Sequence, residues 1–212
     1  MTKKEMKIVL DYVLKNAEKD NPKSLIKSID RYVEKTGSFL MNVGPEKGKI
    51  LVDCINQNKG KHFLELGAFI GYSAILIGMT IGNDAKLLSI DSDKDAIEIS
   101  QSMINFAGLQ NKIDLINMSA ESAIPRLNKP FDFIFIDHAK KKYYTDLILL
   151  ENNNLIKKDT LVFADNVGIF KNDMNEYFNH VRDSGLYSSK NIESCLEYRD
   201  NIFDAVEISI FN

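Results

Sequence analysis

Two short apolar runs in this chain end on oxygen donors. Phe131–Asp137 closes on Asp137, and Thr160–Asn166 closes on Asp165 and Asn166. Carboxylates and an amide oxygen suit a hard cation such as Mg²⁺, which takes one or two carboxylates and fills its octahedron with water or substrate oxygens. Lys140 follows Asp137 by three residues. Beside a cation its ammonium form is disfavoured, which turns it toward a general base. A third run, His62–Leu66, carries Glu65 and leads into Gly67-Ala-Phe-Ile-Gly71. Glycine there lets the backbone turn tightly and approach a ligand. The dinucleotide pattern Gly-x-Gly-x-x-Gly is absent because Phe69 fills the middle place, so the approach a pyrophosphate needs is missing. Glu65 repels an anion and suits an ammonium or hydroxyl group. Asp91 closes Lys86–Asp91, where an acid can accept hydrogen bonds from ribose hydroxyls. Glu65, Gly67 and Asp91 thus outline an adenosyl site without phosphates.

Each group also has a plainer reading. Asp and Asn cap turns and helices, and Asp91 could be the N-cap of a helix starting near Lys94. Gly67 to Gly71 could be an ordinary strand-to-helix turn, and Lys140 to Lys142 a solvated basic turn. His138 reads as a structural or backbone contributor, and His62 and His180 as incidental. Two neighbouring strands ending in acids, with a lysine beside them, argue against caps alone.

The elements that must carry these groups follow from periodicity. Met6, Val9, Leu10, Val13, Leu14 and Ala17 recur at helical spacing, and Leu25, Ile26, Ile29, Tyr32 and Val33 mark a second helix ended by Gly37. Pro45 opens a third, to about Ile55. From His62 onward, strands at 62–66, 86–91, 112–118, 131–137, 160–166, 194–199 and 205–211 alternate with helices near 72–80, 93–107, 120–127, 142–152 and 172–184. This alternation predicts βαβ units and a mostly parallel sheet with helices on both faces. The last two strands, with no helix between them, form a hairpin, so one strand is antiparallel. The 212 residues make one domain, with residues 1–58 as a helical cap and 59–212 as a Rossmann-like core.

Composition narrows the function classes. A net charge of −3 and the lack of an aromatic-basic stripe weigh against nucleic-acid binding. Cys54 and Cys195 are far apart, so neither a zinc site nor a disulfide framework is expected. The first 20 residues lack an apolar secretory region, and the apolar stretch Gly67–Gly82 is short and interrupted. A cytoplasmic protein without membrane contact is expected.

Together these residues resemble the metal-dependent class I S-adenosylmethionine O-methyltransferases, and within them the catechol O-methyltransferase family. The resemblance runs from about Phe39 to Phe211 through Met41-Asn-Val-Gly44, Leu64-Glu-Leu-Gly-Ala68, Gly71-Tyr-Ser73, Asn105-Phe-Ala-Gly-Leu-Gln110, Asp137-His138, Ala164-Asp-Asn-Val167 and Leu196-Glu-Tyr198. It implies a Rossmann-like fold with a seven-stranded sheet. It also implies that Met41, Val43, Glu65, Gly67, Tyr72, Ser73, Asp91, Ala120, Glu121, Asp137 and His138 hold S-adenosylmethionine. Asp137, Asp165 and Asn166 match the ligands of Mg²⁺, or of another divalent ion such as Mn²⁺. Lys140 matches the catalytic base, and Glu197 the acid that binds the substrate's second hydroxyl. Phe39, Met41, Ala139, Lys140, Asn166, Phe170 and Glu197 would surround a small catechol. Three positions depart from the family: Ala139 and Phe39 stand for tryptophans, and Phe170 for a proline. A pocket wider at Ala139 and bulkier at Phe170 is expected. The competing readings are a larger caffeoyl-coenzyme A-like thioester substrate and a catalytically silent cofactor-binding module. A monomer or a homodimer fits equally well.

Overall fold

The computed structural model describes residues 1–212. Three helices come first: α1 (Lys3–Asn16), α2 (Pro22–Thr36) and α3 (Gly44–Gln57). Thr2 and Glu5 form a reciprocal capping box that starts α1, and Gly37 ends α2 in the left-handed conformation. Asn42 Oδ1 accepts from Gly44 N at 2.8 Å and starts α3, with Pro45 in its first turn.

The alternating region follows as β1 (His62–Leu66), α4 (Tyr72–Thr80), β2 (Lys86–Asp91), α5 (Lys94–Phe106), β3 (Ile113–Asn117), α6 (Ala120–Ala123), β4 (Phe133–Ile136), α7 (Tyr143–Asn152), β5 (Leu161–Ala164), α8 (Asn175–Asp183), β6 (Tyr187–Leu196) and β7 (Arg199–Phe211). The sheet order is β3-β2-β1-β4-β5-β7-β6, with β7 antiparallel to both of its neighbours. Both faces are apolar, as a parallel sheet requires. Phe63, Phe133, Phe135 and Phe163 point into a core shared with α1 to α5, and Leu64, Ile134, Ile136 and Val162 into one shared with α7 and α8. Burying one such side chain contributes about 1.5–3 kcal/mol.

Register sets the site. Ile136 pairs with Ala164, so Asp137 and Asp165 emerge side by side from neighbouring parallel strands. Ala164 pairs with Glu207 on β7, which brings Asp204 to the same end. Glu65 lies directly across from Ser89.

Several boundaries differ from the periodicity reading. The strands expected at 131–137 and 160–166 span only Phe133–Ile136 and Leu161–Ala164, so Asp137, Asp165 and Asn166 lie just past their ends. The last two strands are longer than 194–199 and 205–211, and Tyr198 lies in the turn between them, with φ 57°. β6 is an edge strand with many polar, exposed residues, so its first half carries no apolar signal. The helix expected at 120–127 stops at Ala123 and continues as a 3₁₀ turn through Pro125, which has no N–H to donate. The last helix begins at Asn175, after a separate 3₁₀ turn at Lys171–Asp173.

Candidate active site

Two clefts open at the carboxyl ends of the strands, where ligands bind in sheets of this kind. One, of ≈ 210 Å³, is lined by Gly67, Asp91, Ala120, Glu121, His138 and Ala139 among others. The other, of ≈ 690 Å³, is lined by Tyr32, Phe39, Met41, Phe69, Asp137 and Lys140, with the start of α1 as its rim. Asp137 and His138–Ala139 lie between the two.

In the first cleft the turn after β1 is held by Asp91, whose Oδ2 accepts from Ala68 N and Phe69 N, both at 3.0 Å. Its other oxygen accepts from Asp93 N at 2.9 Å. The N-cap of α5 is Asp93 rather than Asp91. Gly67 has φ 105°, and a Cβ there would meet the Asp137 carbonyl oxygen at 2.5 Å, so the ends of β1 and β4 approach only because residue 67 is glycine. Glu65 is fully buried beneath this turn, and Ser89 Oγ donates to its Oε2. Burial pushes its carboxyl up to about 7, with Ser73 and Ser89 partly opposing. His138 Nε2 lies 2.6 Å from Asp146 Oδ2, and its ring stacks on Tyr143. The Tyr72 hydroxyl donates to Asp30 Oδ1 at 3.0 Å, as does Tyr198 at 2.9 Å, so Tyr72 serves to join α2, α4 and the β6–β7 turn. Val43 is buried at the start of α3, while Met41 and Phe39 are exposed at the second cleft.

The second cleft is charged. Lys140 Nζ donates to Asp137 Oδ1 at 2.6 Å and to the Tyr143 hydroxyl at 2.8 Å, and that hydroxyl donates to the Asp165 carbonyl at 3.0 Å. Phe170 lies against the same ammonium, 6.0 Å from ring centre to Nζ. Behind them is a cluster that sequence reasoning only half found. Asp165, Glu197 and Asp204 converge, and Lys47 from α3 is seated among them at 2.7, 3.0 and 2.7 Å. Asn166 Nδ2 donates to Glu197 Oε1 at 2.8 Å and to Asp204 Oδ2 at 2.9 Å. Lys47, Asp204 and Tyr143 carried no motif signal. Lys47 reads as a helix-face lysine, and only its 1 % exposure sets it apart.

The charges explain the shifts. Burial opposes the Lys47 ammonium, but Asp165, Glu197 and Asp204 outweigh it and hold its pKa above the ordinary value. Burial pushes the Asp165 carboxyl upward and Asp137 and Glu197 add to this, while the Lys47 ammonium beside it opposes them. Burial also works against the Asp204 carboxylate, yet Lys47 and the backbone N–H of Ile169 and Ala205 keep it below the usual range.

A divalent cation fits this donor set. Asp165 Oδ2, Asn166 Oδ1 and Glu197 Oε2 are buried with no hydrogen-bond partner, and such orphaned oxygens are costly unless something binds them. Asp137, Asp165, Glu197 and Asp204 against Lys47 and Lys140 leave an excess of two acidic groups. Asn166 adopts φ 55°, a conformation Asn tolerates well, which turns its amide into the cluster.

A seven-stranded sheet of this order, with helices around it and clefts at its carboxyl ends, defines a Rossmann-like methyltransferase fold. The O-methyltransferase family model matches residues 15–184. Catechol O-methyltransferase from Mus musculus is 33% identical over 208 residues, covering 96% of this chain and 77% of that protein. Among solved structures, the O-methyltransferase TomG from Streptomyces achromogenes, in complex with SAM, superposes with a TM-score of 0.77 at 17% identity, covering 88% of this chain and 89% of the other. The O-methyltransferase from Bacillus cereus in complex with SAH gives 0.76 at 17% identity, covering 88% and 90%. The chain belongs to the O-methyltransferase family, which makes it an S-adenosylmethionine-dependent methyltransferase. No helix is long and apolar enough to cross a membrane.

Proposed function

We propose that this protein transfers a methyl group from S-adenosylmethionine to one hydroxyl of a catechol-type substrate, in a Mg²⁺-dependent reaction. The observation that carries this reading is the set of buried, unpartnered oxygens on Asp165, Asn166 and Glu197, with Lys140 joined to the Asp165 carbonyl through the Tyr143 hydroxyl. Similarity to catechol O-methyltransferases supports it. Asp137, Asp165 and Asn166 would hold the cation, which when bound supplies Lewis acidity that favours loss of a hydroxyl proton.

The chain's own groups do the rest. A phenolic hydroxyl has a pKa of about 10 and holds its proton at neutral pH. Lys140 accepts that proton at Nζ. Its Nζ donates to Asp137 Oδ1 at 2.6 Å and to the Tyr143 hydroxyl at 2.8 Å, which hold the side chain in place at the cleft. Glu197 keeps Oε2 for the hydroxyl that does not react. Phe39, Met41 and Phe170 confine the ring. Holding the attacking oxygen in place is worth about 7–11 kcal/mol in a well-oriented reaction.

A coenzyme A thioester would need a basic entrance for its phosphates. Within the Lys140–Lys142 run, Lys140 is paired with Asp137 and Lys142 with Glu121, which leaves little free charge for that role. The test is S-adenosylhomocysteine release with a catechol panel and a catechol thioester, in Mg²⁺ and in excess EDTA. Turnover on free catechols that EDTA abolishes is expected. Equal rates in EDTA, or turnover on the thioester alone, would sink the proposal.

A further inference from the structure

Asp165, Asn166 and Glu197 share a second property that Glu65 and Tyr177, whose Oε1 and hydroxyl are also buried without a partner, lack. Each of the three has one polar atom engaged inward with Lys47 or Asp204 and one left over. Asp165 Oδ1 pairs with Lys47 and leaves Oδ2; Glu197 Oε1 pairs with Lys47 and leaves Oε2. Asn166 Nδ2 donates to Glu197 and Asp204 and leaves Oδ1. All the inward atoms converge on Lys47 and Asp204, which are themselves paired.

We infer that Lys47 and Asp204 form a buried positioning pair that decides which atom each of Asp165, Asn166 and Glu197 offers to cation and substrate. The inference rests on the proposed metal-dependent reaction and adds residues that need not touch either ligand. Asn166 shows the effect most directly. An amide has a donor end and an acceptor end of nearly equal shape. With two carboxylate oxygens facing it, only the donor end can turn inward, so the acceptor end is the one offered outward. A carboxylate has two equivalent oxygens but one orientation at a time, and the Lys47 ammonium fixes it for both acids. Partners that orient ligating side chains in this way commonly carry about 10–100-fold in metal affinity.

The pair also ties distant segments together. Lys47 belongs to α3, and Gly44, at the start of that helix, packs against Glu197: a Cβ there would lie 3.2 Å from Glu197 Cβ. Asp204 Oδ1 accepts from Gly168 N at 3.2 Å and Ile169 N at 3.0 Å, in the loop that carries Phe170. One ion pair therefore holds the helical cap, the end of β5, the substrate-wall loop and the β6–β7 hairpin in a common frame.

The experiment compares wild type, Lys47→Met and Asp204→Asn. Mn²⁺ binding to each free protein is followed by electron paramagnetic resonance, S-adenosylhomocysteine binding by calorimetry, and KM and kcat with catechol by initial rates. Lys47→Met is expected to raise the Mn²⁺ Kd about tenfold or more. Its KM for catechol should rise more than its kcat falls, while S-adenosylhomocysteine affinity stays within about twofold, because the first cleft does not touch the pair. A purely structural lysine would lower the melting temperature and leave the Mn²⁺ Kd of the folded protein unchanged; that result overturns the inference. If Lys47→Met does not fold, Asp204→Asn carries the test. It keeps Lys47 beside two acids but sets an amide against Asn166 Nδ2, and an unchanged Mn²⁺ Kd there overturns the inference equally. Wild type that binds no Mn²⁺ removes the metal reading and this inference with it. Wild type that binds, with both variants unchanged, removes the inference alone.

Discussion

The two clefts are built by opposite means. Around the first, the hydrogen bonds of Asp91 and Glu65 close within one strand-turn-helix unit and its neighbouring strand, while Glu65 Oε1 and His138 Nδ1 stay buried without a partner. Asp91 is tied by backbone N–H groups of Ala68, Phe69 and Asp93, and Glu65 meets Ser89 across the register. Around the second, charge is met by charge from far along the chain. Lys47 reaches Glu197 and Asp204 across 150 and 157 positions, and Asn166 reaches them across 31 and 38. On the proposed reading, the difference follows from what each side would hold. A neutral or weakly charged ligand face can be shaped by backbone donors, whereas several buried carboxylates need a cation to be tolerable. A site for a doubly charged ion must keep some of that negative charge uncompensated.

This contrast can be broken at three places, taken from the largest effect to the smallest. Lys140→Ala strikes the charged cleft at its proposed proton acceptor and should lower kcat by about 10²–10⁴-fold. Calorimetry should find S-adenosylhomocysteine binding nearly unchanged; a comparable loss of cofactor affinity would mean the two clefts are not separable.

Glu65→Gln probes the other side, through pH. Burial raises the Glu65 carboxyl from its ordinary 4.5 to about 7. Below 4.5 it is protonated whether the chain is folded or not, and the substitution should matter little. Between about 4.5 and 7 the unfolded chain gives up the proton while the native state keeps it, so wild type loses stability as pH rises. Above that window the penalty is constant, on the order of 3 kcal/mol. Thermal melts of the free protein should therefore show Glu65→Gln gaining on wild type from pH 5 to 8, with Mn²⁺ affinity untouched. A flat difference across that range would count against a neutral buried carboxyl.

Ala139→Trp sharpens the comparison at the seam, since residue 139 lines the first cleft and directly precedes Lys140. Restoring bulk there should change the ratio of the two monomethylated catechol products by about tenfold or less, the range over which apolar pocket shape discriminates. Product analysis by chromatography decides it; an unchanged ratio means Ala139 is not a wall of the substrate pocket.

Much of the architecture was legible from periodicity because the central strands are buried on both faces and read as continuous apolar runs. Phe131–Asp137 and Thr160–Asn166 announced themselves in this way. The edge strand β6 did not, since Ser188, Lys190 and Glu193 face solvent and break the pattern. Pro125 marked the break between α6 and its 3₁₀ extension, but a helical reading ran through it.

The residue types alone were enough to mark a tight glycine turn at Gly67 and strand ends bearing Asp137, Asp165 and Asn166, because those features depend on local conformation and on which atoms a side chain carries. They could not say that Lys47 leaves the surface to sit among three acids, that Asp204 joins them, or that Asp91 is occupied by backbone N–H groups while Asp93 caps the helix. Those outcomes depend on the register of β5 with β7 and on the packing of α3 against the β6–β7 hairpin. Such contacts join residues separated by most of the chain, and no local pattern specifies which partners a buried charge will find.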